Sequence, residues 1–141
     1  MSERNVERHR RFVEAFNTRD VEAFLAYCDP KIEFHSTFST VGGAVYHGHD
    51  QVRRLFRHIE DAWGNDFCVE PEAFFARGEY TVVVDVMHGR GYHSRAEVDL
   101  PAAQVVRWRD GLVVWHQSYI HKEDAFTYLG TTEDALEPIA P

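Results

Sequence analysis

The chain has 141 residues, 44% of them hydrophobic and 27% charged, which is enough apolar material for one core and too much for a disordered segment. A formal net charge of -8 would repel a phosphate backbone and argues against a nucleic-acid partner. Only Cys28 and Cys68 occur, no apolar leader follows Met1, and no stretch approaches the ~20 apolar residues of a membrane span, so a reduced, cytoplasmic, membrane-free setting is expected.

In chain order, Val6, Phe12, Val13 and Phe16 form a partial helical stripe that Asn17, Thr18 and Asp20 interrupt. The basic residues beside it, Arg4, His9, Arg10 and Arg11, alternate with Glu3, Glu7 and Glu14 and read as a solvated helix face. Asp20 opens a second short helix with Val21, Phe24, Leu25 and Cys28 on one face, closed by Asp29 and Pro30. Residues 31–39 then alternate as a strand, with Ile32, Phe34, Ser36 and Phe38 on one side and Glu33, His35 and Thr37 on the other.

Val41 to Val45 read as a turn returning to a short edge segment. Asp50 is the expected cap of a third helix, whose Val52, Leu55, Phe56, Ile59 and Trp63 share one side and which Gly64 ends. Four strands follow over 68–77, 80–90, 95–109 and 112–120, with Gly78-Glu79 and Asp110-Gly111 as hairpin turns and a bulge or bend expected at Pro101. A helical turn over 122–129 and a tail over 131–141 complete the chain, so one domain over 1–130 with a C-terminal tail is expected.

Helices followed by consecutive strands indicate an α+β domain: about three N-terminal helices on a curved antiparallel or mixed sheet. A strongly twisted sheet curls around such helices and leaves a cone-shaped cavity. Phe12, Phe16, Phe24, Tyr27, Phe34, Trp63, Val86 and Val106 would either line that cavity or fill it.

Several segments carry a family resemblance: Phe12-Val13-Glu14-Ala15-Phe16-Asn17 with Asp20, Lys31 to His35, Tyr46 to Asp50, Gly89-Arg90-Gly91, and Arg107 to Val114. Together they resemble the SnoaL-like polyketide cyclases of the nuclear transport factor two-like superfamily, which also holds ketosteroid isomerase and limonene epoxide hydrolase. The resemblance implies a homodimer whose cone takes small, largely apolar molecules, with chemistry that varies between members. It names no cofactor and no metal.

Strand parity sets Val114, His116, Ser118 and Ile120 on one face and Trp115, Gln117 and Tyr119 on the other, and similarity to the family turns His116 and Ser118 to the pocket. His116 is the candidate acid or base. Ser36 falls about where the isomerase carries its carboxylate base, and a register slip of one would put His35 there instead. Gln104 falls near the isomerase's protonated acid and offers a non-titrating donor to a carbonyl oxygen. His88 shares a face with Val82, Val84 and Val86 and would reach the cone mouth or stand exposed, which leaves Asp85 with the wrong parity for the pocket. Ser118 stands where the epoxide hydrolase has an aspartate.

His47-x-His49 lies in a turn without an adjacent third ligand, and phosphate-loop, dinucleotide, zinc-protease and serine-elbow motifs are absent from the sequence. An isomerase, cyclase or dehydratase acting on a polyketide-, steroid- or terpenoid-like molecule is the leading expectation. A non-catalytic ligand-binding or dimerising domain of the same fold is the alternative. Trp108 or Trp115 with Tyr119 would give such a dimer an outer apolar patch.

Overall fold

The structure is a computed structural model that describes residues 2–39 and 43–141, so part of the expected 41–45 turn lies outside the described residues. The element order is α1 (Ser2–Asn17), α2 (Val21–Ala26), β1 (Cys28–Ser36), β2 (Ala44–His47), α3 (Gly48–Trp63), β3 (Cys68–Arg77), β4 (Tyr80–Arg90), β5 (Glu97–Arg109), β6 (Leu112–Tyr119) and α4 (Lys122–Tyr128). The strands form one mixed sheet in the order β2-β1-β6-β5-β4-β3, in which only the β1–β6 pair is parallel. Four helices pack on this open sheet in the α+β cone arrangement.

Helix α1 turns Val6, His9, Phe12, Val13 and Phe16 inward at spacings of three and four, and Arg10 and Arg11 pair with Glu7 on its solvated side. His9 therefore belongs to the core and not to the basic face. The side chain of Asp20 accepts from the Ala23 N–H and caps α2. That helix ends at Ala26 after six residues, and Cys28 starts β1, with Pro30 disfavouring helical backbone at Asp29.

Helix α3 begins at Gly48 with His47 as its cap residue, and the Gln51 side chain accepts the His47 N–H at 2.7 Å. Asp50 instead sits in the first turn, paired with Arg53 at 2.9 Å. The expected bulge at Pro101 is also absent: β4 and β5 pair without interruption through Val86 and Pro101. Strand β6 reaches only to Tyr119, opposite Ala103, so Pro101 has no neighbour on that side whose ladder bond it would forfeit. The irregularities fall instead between Cys28 and Glu33, between Pro71 and Ala73 and between Arg107 and Trp108. At the β5–β6 hairpin, Asp110 and Gly111 have φ values of 52° and 78°, the left-handed pair of a type I′ turn.

Both sheet faces are covered. The inner face packs Val83 with Val6 and Phe74, while the outer face packs Val82, Val84 and Val105 under Phe126 of α4. Trp115 and Tyr119 lie beneath Tyr128, so α4 covers much of the expected outer patch. Trp108 is not part of that patch at all, since it is buried on the inner side and donates from Nε1 to Thr81 Oγ1 at 2.8 Å.

Strand β3 is an edge, and two features occupy its free backbone. Asn17 at the end of α1 donates to the Val69 carbonyl and accepts the Val69 N–H, each at 2.8 Å. Ile139 in the tail exchanges two backbone bonds with Phe74, at 2.8 and 2.7 Å. Asn17→Ala leaves both Val69 groups unpaired and is expected to cost about 1–3 kcal/mol, read from urea denaturation. An unchanged midpoint would show that water replaces the side chain at no cost.

Candidate functional site

A mainly apolar cavity of about 50 Å³ lies between the helices and the inner sheet face, room for about four waters. Phe12 and Phe16 of α1, Phe24 of α2 and Leu55 and Ile59 of α3 form its helical wall. Its sheet wall carries most of the polar groups, Ser36 from β1, His116 and Ser118 from β6 and Gln104 from β5, and α1 adds His9. Thus Phe12, Phe16, Phe34, Ser36, Gln104, His116 and Ser118, named from sequence, converge on one space.

Register explains the convergence. Parallel pairing sets Phe34 opposite His116, and their rings stack at 3.8 Å with an interplanar angle of 5°. His116 Nδ1 lies 3.3 Å from the His35 carbonyl oxygen, which can only accept, so the ring proton sits on Nδ1 and Nε2 carries the lone pair. Burial lowers the His116 pKa to about 3 and keeps the ring neutral. Ser118 Oγ accepts from the Thr37 N–H at 3.0 Å and also meets Thr37 Oγ1 at 2.8 Å. Among the described residues Gln104 Nε2 makes a long 3.9 Å contact to Met87 Sδ, and the same side chain acts on Asp85 beside it.

The remaining named residues lie elsewhere. His35 faces the outer side, bonded through Nε2 to Glu33 at 2.6 Å and tilted against Trp115, so Phe34 and Ser36 hold the inner register. Tyr27 meets Phe12 edge-on, and Trp63 stacks on Phe67 while donating to the Phe38 carbonyl; both stand behind the lining. Val106 is buried opposite His116 in the ladder. Val86 and His88 lie on the outer side of β4, and His88 is exposed between Asp99 at 2.6 Å and Glu70 at 3.2 Å. The β4 parity was inverted because α4 buries the outer face as thoroughly as α1 buries the inner one.

That inversion hid Asp85. It stands between Val83 and Met87 on the inner face, is fully buried, and among the described residues has no hydrogen-bond partner at either carboxylate oxygen. Burial pushes its pKa from 3.8 to about 7; the Gln104 side chain opposes the shift and Glu72 adds to it. A lone acid within the run Thr81-Val82-Val83-Val84-Asp85-Val86-Met87 was the available signal. His9 was missed too: it lines the cavity with Nδ1 at 2.8 Å from Thr81 Oγ1.

The SnoaL-like domain model matches residues 9–116. The chain belongs to the SnoaL-like domain family. Among solved structures, an NTF2-like protein of unknown function from Burkholderia pseudomallei has a TM-score of 0.76 at 24% identity, over 90% of this chain and 97% of that one. TerC, co-crystallised with polyporic acid, has a TM-score of 0.74 at 20% identity over 89% and 97% of the two chains. A ketosteroid isomerase-like protein from Catenulispora acidiphila in complex with trimethylamine has a TM-score of 0.72 at 16% identity over 91% and 95%. These likenesses establish the fold; no curated protein gave a sequence match. Among the described residues, no helix of this SnoaL-like chain is long and apolar enough to cross a membrane.

Asp85 gives the site a pH signature. Its folded pKa of about 7 exceeds its unfolded value, so between about pH 4 and 7 the native state retains a proton that the unfolded chain releases. Stability contributed by the protonated acid is therefore present at low pH and lost as pH rises, by about 4 kcal/mol in all. Asp85→Asn removes this dependence. The stability difference between variant and wild type, from urea titrations at pH 5 and pH 8, should widen in the variant's favour at pH 8, and a constant difference would refute the assignment.

Proposed function

We propose that this domain holds a small, largely apolar molecule in its cavity and exchanges a proton with it at His116, as an isomerase, cyclase or dehydratase without a cofactor does. The observation carrying this reading is the grouping of His116, Gln104, Ser36 and Ser118 on one wall opposite a phenylalanine wall. An apolar body would pack against the phenylalanines while one carbonyl or hydroxyl meets the polar side. The weakly held Gln104 amide suits a carbonyl oxygen that gains charge during enolisation. His116 Nε2 would take the proton, and the resulting imidazolium would keep its Nδ1 bond to the His35 carbonyl and its stack on Phe34, offsetting part of its burial.

The relatives co-crystallised with polyporic acid and with trimethylamine are in keeping with an organic ligand. A polyketide, steroid or terpenoid skeleton exceeds 50 Å³, so such a substrate requires Phe16, Phe38 or Phe67 to swing aside. That small volume also favours the second reading, a non-catalytic ligand-binding or partner domain with a nearly filled cone.

Thermal unfolding against aromatic, alicyclic and terpenoid ligands separates the two, because a native-state ligand raises Tm with its concentration. A shift that Ser118→Phe abolishes, with turnover lost in His116→Ala, supports the enzyme; equal shifts in wild type and His116→Ala without turnover support binding alone. The reading includes a homodimer, since Leu100 and Ile120 remain exposed near the β5–β6 end of the sheet. Sedimentation should give two copies at micromolar concentration, and a monomer at every concentration removes that part.

A further inference from the structure

Three polar groups at or behind the cavity wall invite a role beyond His116: the Gln104 amide and the His9 imidazole, which line it, and the Asp85 carboxyl, which stands behind Gln104. His9 carries the argument furthest, because the hydrogen bonds around it fix where its proton lies. The ring is 1% exposed, on the apolar stripe of α1, and Phe12, Phe74 and Trp108 surround it.

Trp108 Nε1–H can only donate, and it points at Thr81 Oγ1 from 2.8 Å. The Thr81 oxygen has a second lone pair, but its own hydrogen needs an acceptor, and among the described residues His9 Nδ1, 2.8 Å away, is the one that meets it. The chain Trp108 to Thr81 to His9 therefore makes Nδ1 an acceptor and leaves the His9 proton on Nε2. His116 has the reverse arrangement, with the proton on Nδ1 toward the His35 carbonyl and a lone pair on Nε2. Among the described residues neither Nε2 meets a protein partner, and neither belongs to the buried atoms sealed without one. Both rings line the same cavity.

We infer that His9 and His116 form a donor–acceptor pair of neutral imidazoles that selects a neutral ligand bearing both a carbonyl oxygen and a hydroxyl. His9 Nε2–H donates to the carbonyl, and His116 Nε2 accepts from the hydroxyl. Burial lowers both pKa values to about 3, so the two rings keep these roles across the physiological range. A ligand with a single oxygen satisfies one ring and leaves the other unpaired in an apolar space, which is where discrimination arises. The inference rests on the pocket reading above and names the class of molecule the pocket takes.

Two experiments test it. Nitrogen NMR of the histidine rings in the free protein should show Nε2 protonated in His9 and Nδ1 protonated in His116; the same tautomer in both overturns the pair. Binding is then measured for cyclohexanone, cyclohexanol and the 2-, 3- and 4-hydroxycyclohexanones. At least one hydroxyketone should bind about tenfold or more tightly than either monofunctional ring, and His9→Phe should erase that preference while cyclohexanol, whose hydroxyl meets His116, still binds. Equal affinities for all five, or a preference that survives His9→Phe, overturn the pair and leave the pocket reading standing. No binding by any of the five removes the pocket reading and the pair together.

Discussion

Parallel pairing of β1 with β6 sets Phe34 opposite His116 and His35 opposite Gln117, and the cavity takes its shape from that register. Because alternate residues share a face, it sends Phe34, Ser36, His116 and Ser118 inward together and turns His35 toward Trp115 outside. Strand β2 extends the same register from the other side of β1, with Tyr46 buried opposite Phe34, and α3 follows β2 without a loop. Leu55 and Ile59 are thereby carried over the cavity. A slip of one residue would turn Phe34 toward solvent, about 1.5–3 kcal/mol for that ring alone, and bring a Glu33-bonded histidine into an apolar space.

Against that well-determined frame, the inner face of β4 and β5 carries groups that make a poorer core than valine would. Asp85 is buried with neither oxygen partnered among the described residues, and the Gln104 amide beside it makes a long contact to Met87 Sδ. His9 and His116 are buried rings held neutral by desolvation. Each of these costs stability that apolar residues of similar size would not. Such costs gather around one cavity, while both faces of the same sheet are otherwise packed with valine and phenylalanine, and they are what the proposed pocket reading accounts for.

Sequence alone made most of the fold legible because its signals were local. The limits of β3 and β4 are the residues at which alternation and turn chemistry begin and end, and α3 follows its apolar stripe to Gly64. The site was legible where one face of a strand was plainly polar, as for His35 against Phe34 and Ser36. It failed on β4, where Val82 to Val84 are buried on both faces and parity has no solvent side to refer to. Asp85 and His88 were exchanged for that reason, and Pro101 was misjudged because the reach of β6 is a tertiary fact. His9 was masked by the arginines around it, since a histidine in a charged helix looks solvated until Thr81 and Trp108 are brought across from the sheet.

The cavity's electrostatics restrict what it can accept. Its histidines remain uncharged, its hydroxyls and amide do not titrate, and the acid behind Gln104 keeps its proton up to about pH 7. A ligand with a permanent charge would enter a space with no fixed counter-charge among its lining residues, and its desolvation would go uncompensated. A neutral molecule with directional oxygens loses far less on entry and can recover it through the unpartnered imidazole nitrogens and the Gln104 amide. Any chemistry there must therefore create charge only transiently, and Asp85, which stands behind Gln104 and does not line the cavity, adds no fixed charge to it below about pH 7.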